Sequence, residues 1–202
     1  FEAPGISVKL SALHPRYEWT NRERVIDELL PKLISLASLA CDGGIGITFD
    51  AEETERLELS LELFAAVYGD PRFAGYEGLG LAVQAYQKRA IQVIDWLTAL
   101  SVAHGRRIPT RLVKGAYWDT EIKRAQMQGL NGYPVFTRKT NTDVSYLACA
   151  AKMLAQPAVF YSQFATHNAH TVATILERAG NEGNHKHFEF QRLHGMGLEL
   201  YD

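Results

Sequence analysis

Arg111-Leu112-Val113-Lys114-Gly115-Ala116-Tyr117-Trp118 reads as a buried strand that runs into a turn and then a helix. An apolar strand ending in Arg, Lys, Tyr and Trp builds a ligand site. Charged and aromatic groups placed there cost desolvation free energy unless a bound anion or planar ring satisfies them. Six other runs end in the same way, and that repetition decides the fold.

Outward from this stretch, short β-rich runs alternate with longer segments of helical period. The runs that read as strands are residues 6–13, 46–50, 80–85, 110–113, 135–138, 159–165 and 188–193. Between them, Val25, Leu29, Leu33 and Leu36 fall on one helix face, as do Leu57, Leu61 and Phe64, and then Val144, Leu147, Ala151 and Leu154. Thr20 with Glu23 has the form of a capping box, Asp119, Asn141 and Asn168 sit where N-caps belong, and Gly180 suits a helix stop. Pro31 lies inside the first helical pattern, where it should kink the helix.

Strict βα alternation implies a parallel sheet, either doubly wound or a (β/α)8 TIM-type barrel. A doubly wound sheet advertises a G-x-G-x-x-G loop that opens a helix. Here Gly43-Gly44-Ile45-Gly46 precedes a strand and Gly78-Leu79-Gly80 leads into one, so the α/β barrel is the better reading. Seven βα units are visible, and the eighth strand and helix are missing from the chain as read. The sequence also opens on Phe1-Glu2-Ala3-Pro4, just before an apolar strand, as a piece of a longer protein would.

With 202 residues, 47% of them hydrophobic, the chain suits one domain with a sizeable core. Lys and Arg number 21 against 23 Asp and Glu, a formal charge of -2, so no basic field exists for gripping nucleic acid. Cys41 and Cys149 have neither metal spacing nor a disulfide-framework pattern, which favours a reducing compartment. No apolar run approaches the roughly 20 residues of a membrane span, and the first residues do not resemble a signal peptide. A cytoplasmic protein is the expectation.

Barrel enzymes place their chemistry at the C-terminal strand ends. Candidates there are Lys9, Asp50, Gln84, Arg111 with Lys114, Arg138 with Lys139, Thr166-His167-Asn168, and Gln191 with His194. Lys9, Arg111, Lys114, Arg138 and Lys139 outnumber Asp50, so the ligand should carry carboxylate, phosphate or both. An inward Lys9 must be paired, deprotonated or ligand-bound. Gln84 reads as a buried amide, and Gln163 beside Thr166 favours a site there.

Plainer readings stand beside these. Lys9 also suits an outward chain snorkelling past a helix. Arg138 and Lys139 suit solvated loop charges, His194 a turn cap, His167 with Asn168 a helix cap, and Glu52 with Glu53 favourable charge at a helix start. Tyr117 and Trp118 suit either core filling or a stacking wall. No metal site is expected: His167 and His170 make a pair without a convincing third ligand, and paired-Cys zinc spacing, H-E-x-x-H, G-x-S-x-G and P-loop motifs are absent from the sequence.

Seven motifs in order carry a resemblance. Gly5-Ile6-Ser7-Val8-Lys9-Leu10-Ser11-Ala12-Leu13-His14-Pro15-Arg16-Tyr17, Asp50-Ala51-Glu52-Glu53, Gln84-Ala85-Tyr86-Gln87-Lys88-Arg89, the Arg111 to Trp118 stretch, Tyr146-Leu147-Ala148-Cys149, Phe164-Ala165-Thr166-His167-Asn168, and Phe190-Gln191 with Leu193-His194-Gly195-Met196-Gly197 span nearly the whole chain. Together they resemble the proline dehydrogenase domain of the bacterial bifunctional proline utilization A flavoenzymes.

The resemblance implies a catalytic barrel over 1–202 that uses FAD to oxidise L-proline to 1-pyrroline-5-carboxylate. Electrons would pass to a quinone at the membrane surface. It implies that Arg111 sits beside the flavin N5, that Gln84 bonds the isoalloxazine edge, and that Val113, Lys114, Gly115, Ala116 and Trp118 line the cofactor. Arg138 and Lys139 would follow its phosphate and ribose portion, with Thr166, His167, Asn168, Gln191 and Asp50 completing the site. Lys9 would pair with the proline carboxylate, Asp50 would orient the polar network, and Ala116, Tyr117 and Leu193 would wall the substrate ring. Lys9, Asp50, Arg111 and Tyr117 are the catalytic candidates.

The family's eighth strand carries a substrate-contacting Tyr and its eighth helix a paired Arg-Arg, and neither is seen in this sequence. The 202 residues alone are therefore expected to bind FAD poorly and to turn over little proline. The resemblance further implies an aldehyde dehydrogenase domain in the parent protein, which would lie in the cytoplasm or peripherally at the inner membrane. Two other readings remain open: a Schiff-base Lys9 in an aldolase-type barrel with Asp50 as its proton partner, and a truncated non-catalytic scaffold.

Overall fold

The computed structural model describes residues 4–180 and 187–201. Phe1, Glu2 and Ala3 of the opening tetrapeptide lie outside the described residues.

Six strands are present among the described residues: β1 (Gly5–Val8), β2 (Gly46–Phe49), β3 (Leu79–Gln84), β4 (Ile108–Val113), β5 (Phe160–Ala165) and β6 (Phe188–Gln191), in sheet order β1-β2-β3-β4-β5-β6. β1 with β2, β2 with β3, and β5 with β6 pair in parallel. Helices α1 (Leu10–Leu13), α2 (Arg22–Asp42), α3 (Leu57–Tyr68), α4 (Ala90–His104), α5 (Trp118–Met127), α6 (Lys139–Leu154), α7 (Ala169–Ala179) and α8 (Leu198–Tyr201) separate or follow them. Parallel pairing with helical crossovers is the α/β architecture expected of a TIM-type barrel.

The count of seven strands is corrected to six. Residues 135–138 form no strand: Val135 makes one isolated antiparallel bridge with Gln87. There the N–H of Lys88 donates to Pro134 (3.0 Å) and that of Phe136 to Tyr86 (2.8 Å). The segment pairs with the loop after β3, and α6 begins at Lys139 before a strand can extend. Strand 6–13 is also shortened, because Leu10 starts a helical turn.

The chain divides into two compact units, Phe1–Ala82 with Ala99–Pro109, and Val83–Thr98 with Thr110–Asp202. In the first, α2 buries Val25, Leu29, Leu33, Ala37 and Ala40, the near-fourfold spacing of one helix face. Leu29 and Leu33 are fully buried, so truncating either to Ala costs about 2 to 5 kcal/mol. Pro31 does not end this helix. It and Asp27, whose carbonyl loses its helical partner, both lie on the exposed side, where water can satisfy the carbonyl. The Thr20–Glu23 capping box is not formed: the helix is entered through the 3-10 turn Trp19–Asn21, and its N-cap Asn21 makes no side-chain cap bond. In α3 the buried residues are Leu59, Leu63, Phe64, Val67 and Tyr68, while Leu57 and Leu61 are only half-buried. Gly80 is required where β4 passes, since a Cβ there would stand 2.3 Å from the carbonyl oxygen of Pro109.

In the second unit, β5 alternates strictly. Phe160, Ser162 and Phe164 are buried on one face, leaving Tyr161, Gln163 and Ala165 on the other. Phe164, Phe188 and Phe190 pack their rings at centroid distances of 5.7 to 6.2 Å, so the opposite face of β5 and β6 carries the polar side chains. The buried face of α6 is Thr142, Tyr146, Cys149, Ala150 and Met153, and Val144, expected inside, is 69% exposed. Helix α7 has the expected ends: Asn168 Oδ1 accepts from the N–H of Thr171 (2.9 Å) and Gly180 closes it at φ 74°. Asp119 and Asn141 are not N-caps, because α5 and α6 begin at Trp118 and Lys139.

Candidate functional site

In the first unit, Lys9 and Asp50 each follow directly on a strand. The parallel register sets Val8 beside Phe49, and the N–H of Asp50 donates to the carbonyl of Val8 (2.9 Å). The two side chains therefore leave matched positions, with Lys9 Nζ 3.8 Å from Asp50 Oδ2. Lys9 is not a buried lysine: its side chain is 50% exposed. Glu52, read from sequence as a charge at a helix start, is buried instead. It accepts from the N–H of Ser11 (3.0 Å) and from Arg56 Nη1 (2.9 Å), thereby holding the chain just after Lys9.

In the second unit, the opening stretch forms a braced turn. Gln84, 3% exposed at the end of β3, accepts the N–H of Ala116 at Oε1 (3.1 Å). Gly115 sits at φ 149°, and a Cβ there would lie 2.4 Å from the ring of Tyr86, so only glycine fits this approach. The N–H groups of Ala85 and Tyr86 donate to the carbonyls of Val113 and Lys114 (2.8 and 2.7 Å), continuing the ladder up to the turn. Tyr117 is the N-cap of α5, and Trp118, 42% exposed, donates through Nε1 to the carbonyl of Phe136 (2.9 Å). Trp118 is thus an exposed and tethered ring, not core filling.

Charge gathers around this turn. Lys114 pairs with Asp143 and has the Tyr146 ring 6.0 Å away, while Lys139 Nζ bonds the other Asp143 oxygen (2.7 Å). Burial pushes the Asp143 carboxyl up, but hydrogen bonds and charge from the two ammonium groups outweigh it and hold it below the ordinary value. Tyr146 is fully buried with its hydroxyl between the carbonyls of Leu112 (3.2 Å) and Ala165 (3.3 Å), and burial raises its pKa. Arg138 is the exposed N-cap of α6, and Lys139, its first residue, is 73% exposed.

Arg111, near the end of β4, donates through Nε to Gln191 Oε1 (2.6 Å) at the end of β6. Gln191 Nε2 in turn donates to Glu189 Oε1 (2.7 Å). Thr166 follows β5, with its carbonyl accepting from Tyr201 (2.6 Å) and its Oγ1 from the N–H of Asn168 (3.2 Å). Asn168 caps α7 as the plainer reading had it. His167 Nε2 accepts the N–H of Leu193 (3.0 Å), so Leu193, 64% exposed, is held beside it.

The structure thus places Gln84, Arg111, Val113, Lys114, Gly115, Ala116, Trp118, Thr166, His167, Asn168 and Gln191 at or next to C-terminal strand ends of the second unit. Glu189, Asp143, Tyr146 and Tyr161 went unnoticed as partners. Period-two alternation in Phe188-Glu189-Phe190-Gln191 was the available signal for Glu189, and the four-residue spacing from Lys139 for Asp143. Gly115 leaves room where a side chain would collide, and Gln163 Oε1 is buried without a hydrogen-bond partner. With Arg111, Lys114 and Lys139 nearby in the same unit, the residues fit a planar, hydrogen-bonding group that carries phosphate. Among the described residues, no group of three or more His, Cys, Asp or Glu could hold a metal ion, and no helix is long and apolar enough to cross a membrane.

Comparison with known proteins adds to this geometry. The proline dehydrogenase family model matches residues 1–202. The bifunctional protein PutA of Escherichia coli (strain K12) is 58% identical over the whole chain, and that of Rhizobium meliloti is 52% identical. The chain spans 15% and 16% of their respective lengths. A crystal structure of a mutant of Bradyrhizobium japonicum proline utilization A superposes with a TM-score of 0.94 at 61% identity, over 98% of this chain and 20% of that one. The structure of PutA from Bdellovibrio bacteriovorus inactivated by N-propargylglycine gives 0.91 at 30% identity, over 96% and 20%.

Proposed function

Since the chain belongs to the proline dehydrogenase family, we propose that residues 1–202 carry the catalytic barrel of an FAD-dependent enzyme that oxidises L-proline to 1-pyrroline-5-carboxylate. The observation that carries this reading is the turn after β4, where Gly115 lies against the Tyr86 ring between the cationic Arg111 and Lys114 and the buried amide of Gln84. When bound, the flavin supplies the acceptor for the hydride that leaves the carbon next to nitrogen, and a quinone at a membrane surface receives the electrons.

The chain's own residues then have distinct work. Arg111 would bring positive charge to the reactive edge of the ring system, and Gln84, by fixing the turn after β4, would set the surface that receives it. Val113, Lys114, Gly115, Ala116 and Trp118 line the cofactor, and Arg138 and Lys139 meet its phosphates. Thr166, His167, Asn168 and Gln191 complete its surroundings. Lys9 holds the proline carboxylate, Asp50 orients Lys9 and the polar network, and Ala116, Tyr117 and Leu193 exclude water from the substrate ring. A Schiff-base role suits Lys9 less well, because its side chain is half in solvent beside a carboxylate rather than desolvated in an apolar pocket.

The curated relatives are named bifunctional and are several times longer than this chain, which supports a parent polypeptide carrying a second activity, an aldehyde dehydrogenase. A cytoplasmic protein that meets the inner membrane peripherally accords with a quinone acceptor. Proline-dependent reduction of a dye by the full-length polypeptide tests the reading. Arg111→Met should lower kcat by roughly 100-fold or more, as loss of a preorganised charge does. An unchanged kcat would contradict Arg111's role, and no proline-dependent reduction by the unaltered polypeptide would contradict the activity.

A further inference from the structure

On the polar face of β5 and β6, three side chains converge on one carboxylate. Glu189 Oε1 accepts from Gln191 Nε2 (2.7 Å) and Gln163 Nε2 (3.0 Å), while Oε2 accepts from the hydroxyl of Tyr161 (3.1 Å). The parallel register sets Gln163 beside Glu189 and Ala165 beside Gln191, so the cluster is built by two paired strands rather than by a mobile loop. From this we infer that Glu189 is a positioning residue that acts through Gln191 on Arg111, an inference that rests on the flavin reading of Arg111.

An amide has one acceptor end and one donor end. With Nε2 drawn to Glu189, Oε1 of Gln191 is turned to Arg111 Nε at 2.6 Å. Flipping the amide would set NH2 against a guanidinium N–H and a carbonyl against a carboxylate, and both contacts are repulsive. Glu189 therefore fixes which end of Gln191 the guanidinium meets, and with it the direction of the Arg111 fork. Gln163 and Tyr161, donating to the Glu189 carboxylate, hold it in turn. Its charge also lies one side chain away from Arg111, where it tempers the positive potential offered to the cofactor.

Two substitutions in the full-length polypeptide separate these effects. Glu189→Gln keeps size and an acceptor for Gln191 and Gln163 but removes the charge. Bound flavin and the KM for proline should stay within about twofold, while the reduction equilibrium of the flavin should shift about tenfold toward the reduced form, about 30 mV for a two-electron couple. Glu189→Ala frees Gln191 and should lower kcat about tenfold with little change in KM. Combined with Gln191→Ala it should cost no more than Gln191→Ala alone, because the two act as one unit. An unshifted flavin potential in Glu189→Gln, or strictly additive losses in the double variant, would overturn the proposal. Should the unaltered polypeptide hold no flavin, the flavin reading fails by itself. The relay is then judged by urea midpoints of the same Ala variants, where non-additivity supports it and additivity overturns it.

Discussion

Gln84 reaches from the end of β3 to the backbone of Ala116, accepting its N–H at 3.1 Å, so a buried amide fixes the turn that follows β4. Removing that acceptor leaves a backbone donor to find another partner, worth about 1 to 3 kcal/mol. Gln84→Leu in the full-length polypeptide should therefore weaken flavin binding by roughly 5- to 150-fold, read by titration of flavin fluorescence. Unchanged affinity would show that the turn does not depend on this bond.

Gly115 has no room for a methyl group. Its φ of 149° and the 2.4 Å approach of a Cβ to the Tyr86 ring combine backbone strain with overlap. Gly115→Ala should destabilise by about 2 to 4 kcal/mol, measured as a lowered urea midpoint at constant slope. Adding Tyr86→Ala should remove the overlap but not the backbone strain, so the double variant should be more stable than the sum of the two single losses implies.

The Asp143 cluster predicts a pH dependence. Its carboxyl lies below its unfolded value because Lys114 and Lys139 outweigh the opposing effect of burial. The stabilisation is thus fully present above the ordinary carboxylate range and is lost as pH falls through the folded value. Urea midpoints should show the advantage of the unaltered protein over Asp143→Asn at neutral pH, shrinking as the solution is acidified. Lys114→Met should remove more of it than Lys139→Met, because Lys114 is 24% exposed and Lys139 73%. A pH-independent difference would contradict the cluster's role.

Tyr146→Phe isolates one hydrogen bond. The hydroxyl lies in the core of the second unit between the carbonyls of Leu112 and Ala165, so its loss should cost about 0.5 to 1.5 kcal/mol. Thermal unfolding should record a modest lowering of Tm with a normal folded spectrum.

The alternation of β-rich and helical runs was legible in sequence because strand ends bear polar groups on apolar runs, and five of the seven expected strands stand close to their read positions. Residues 135–138 misled because an apolar pair, Val135 and Phe136, satisfies its backbone against the Tyr86 to Lys88 loop rather than a neighbouring strand. The face of α6 misled for a related reason: Thr142 and Tyr146 are buried, with the Tyr146 hydroxyl finding the carbonyls of Leu112 and Ala165, while Val144 faces solvent. The polar residues at strand ends were visible through residue type alone. Their partners Asp143 and Glu189 were not, since an acid on a helix or strand declares its pairing only when tertiary packing brings the cation or amide to it.

An anaerobic absorbance spectrum of the full-length polypeptide, taken before and after addition of L-proline, puts cofactor, substrate and direction of electron flow to one test. The purified protein should show the flavin band, and L-proline should bleach it in the unaltered protein and much more slowly in Arg111→Met. A protein that shows no flavin after reconstitution with FAD, or whose flavin band is unmoved by saturating L-proline, would contradict the assignment of the turn after β4 to a proline-oxidising flavin site.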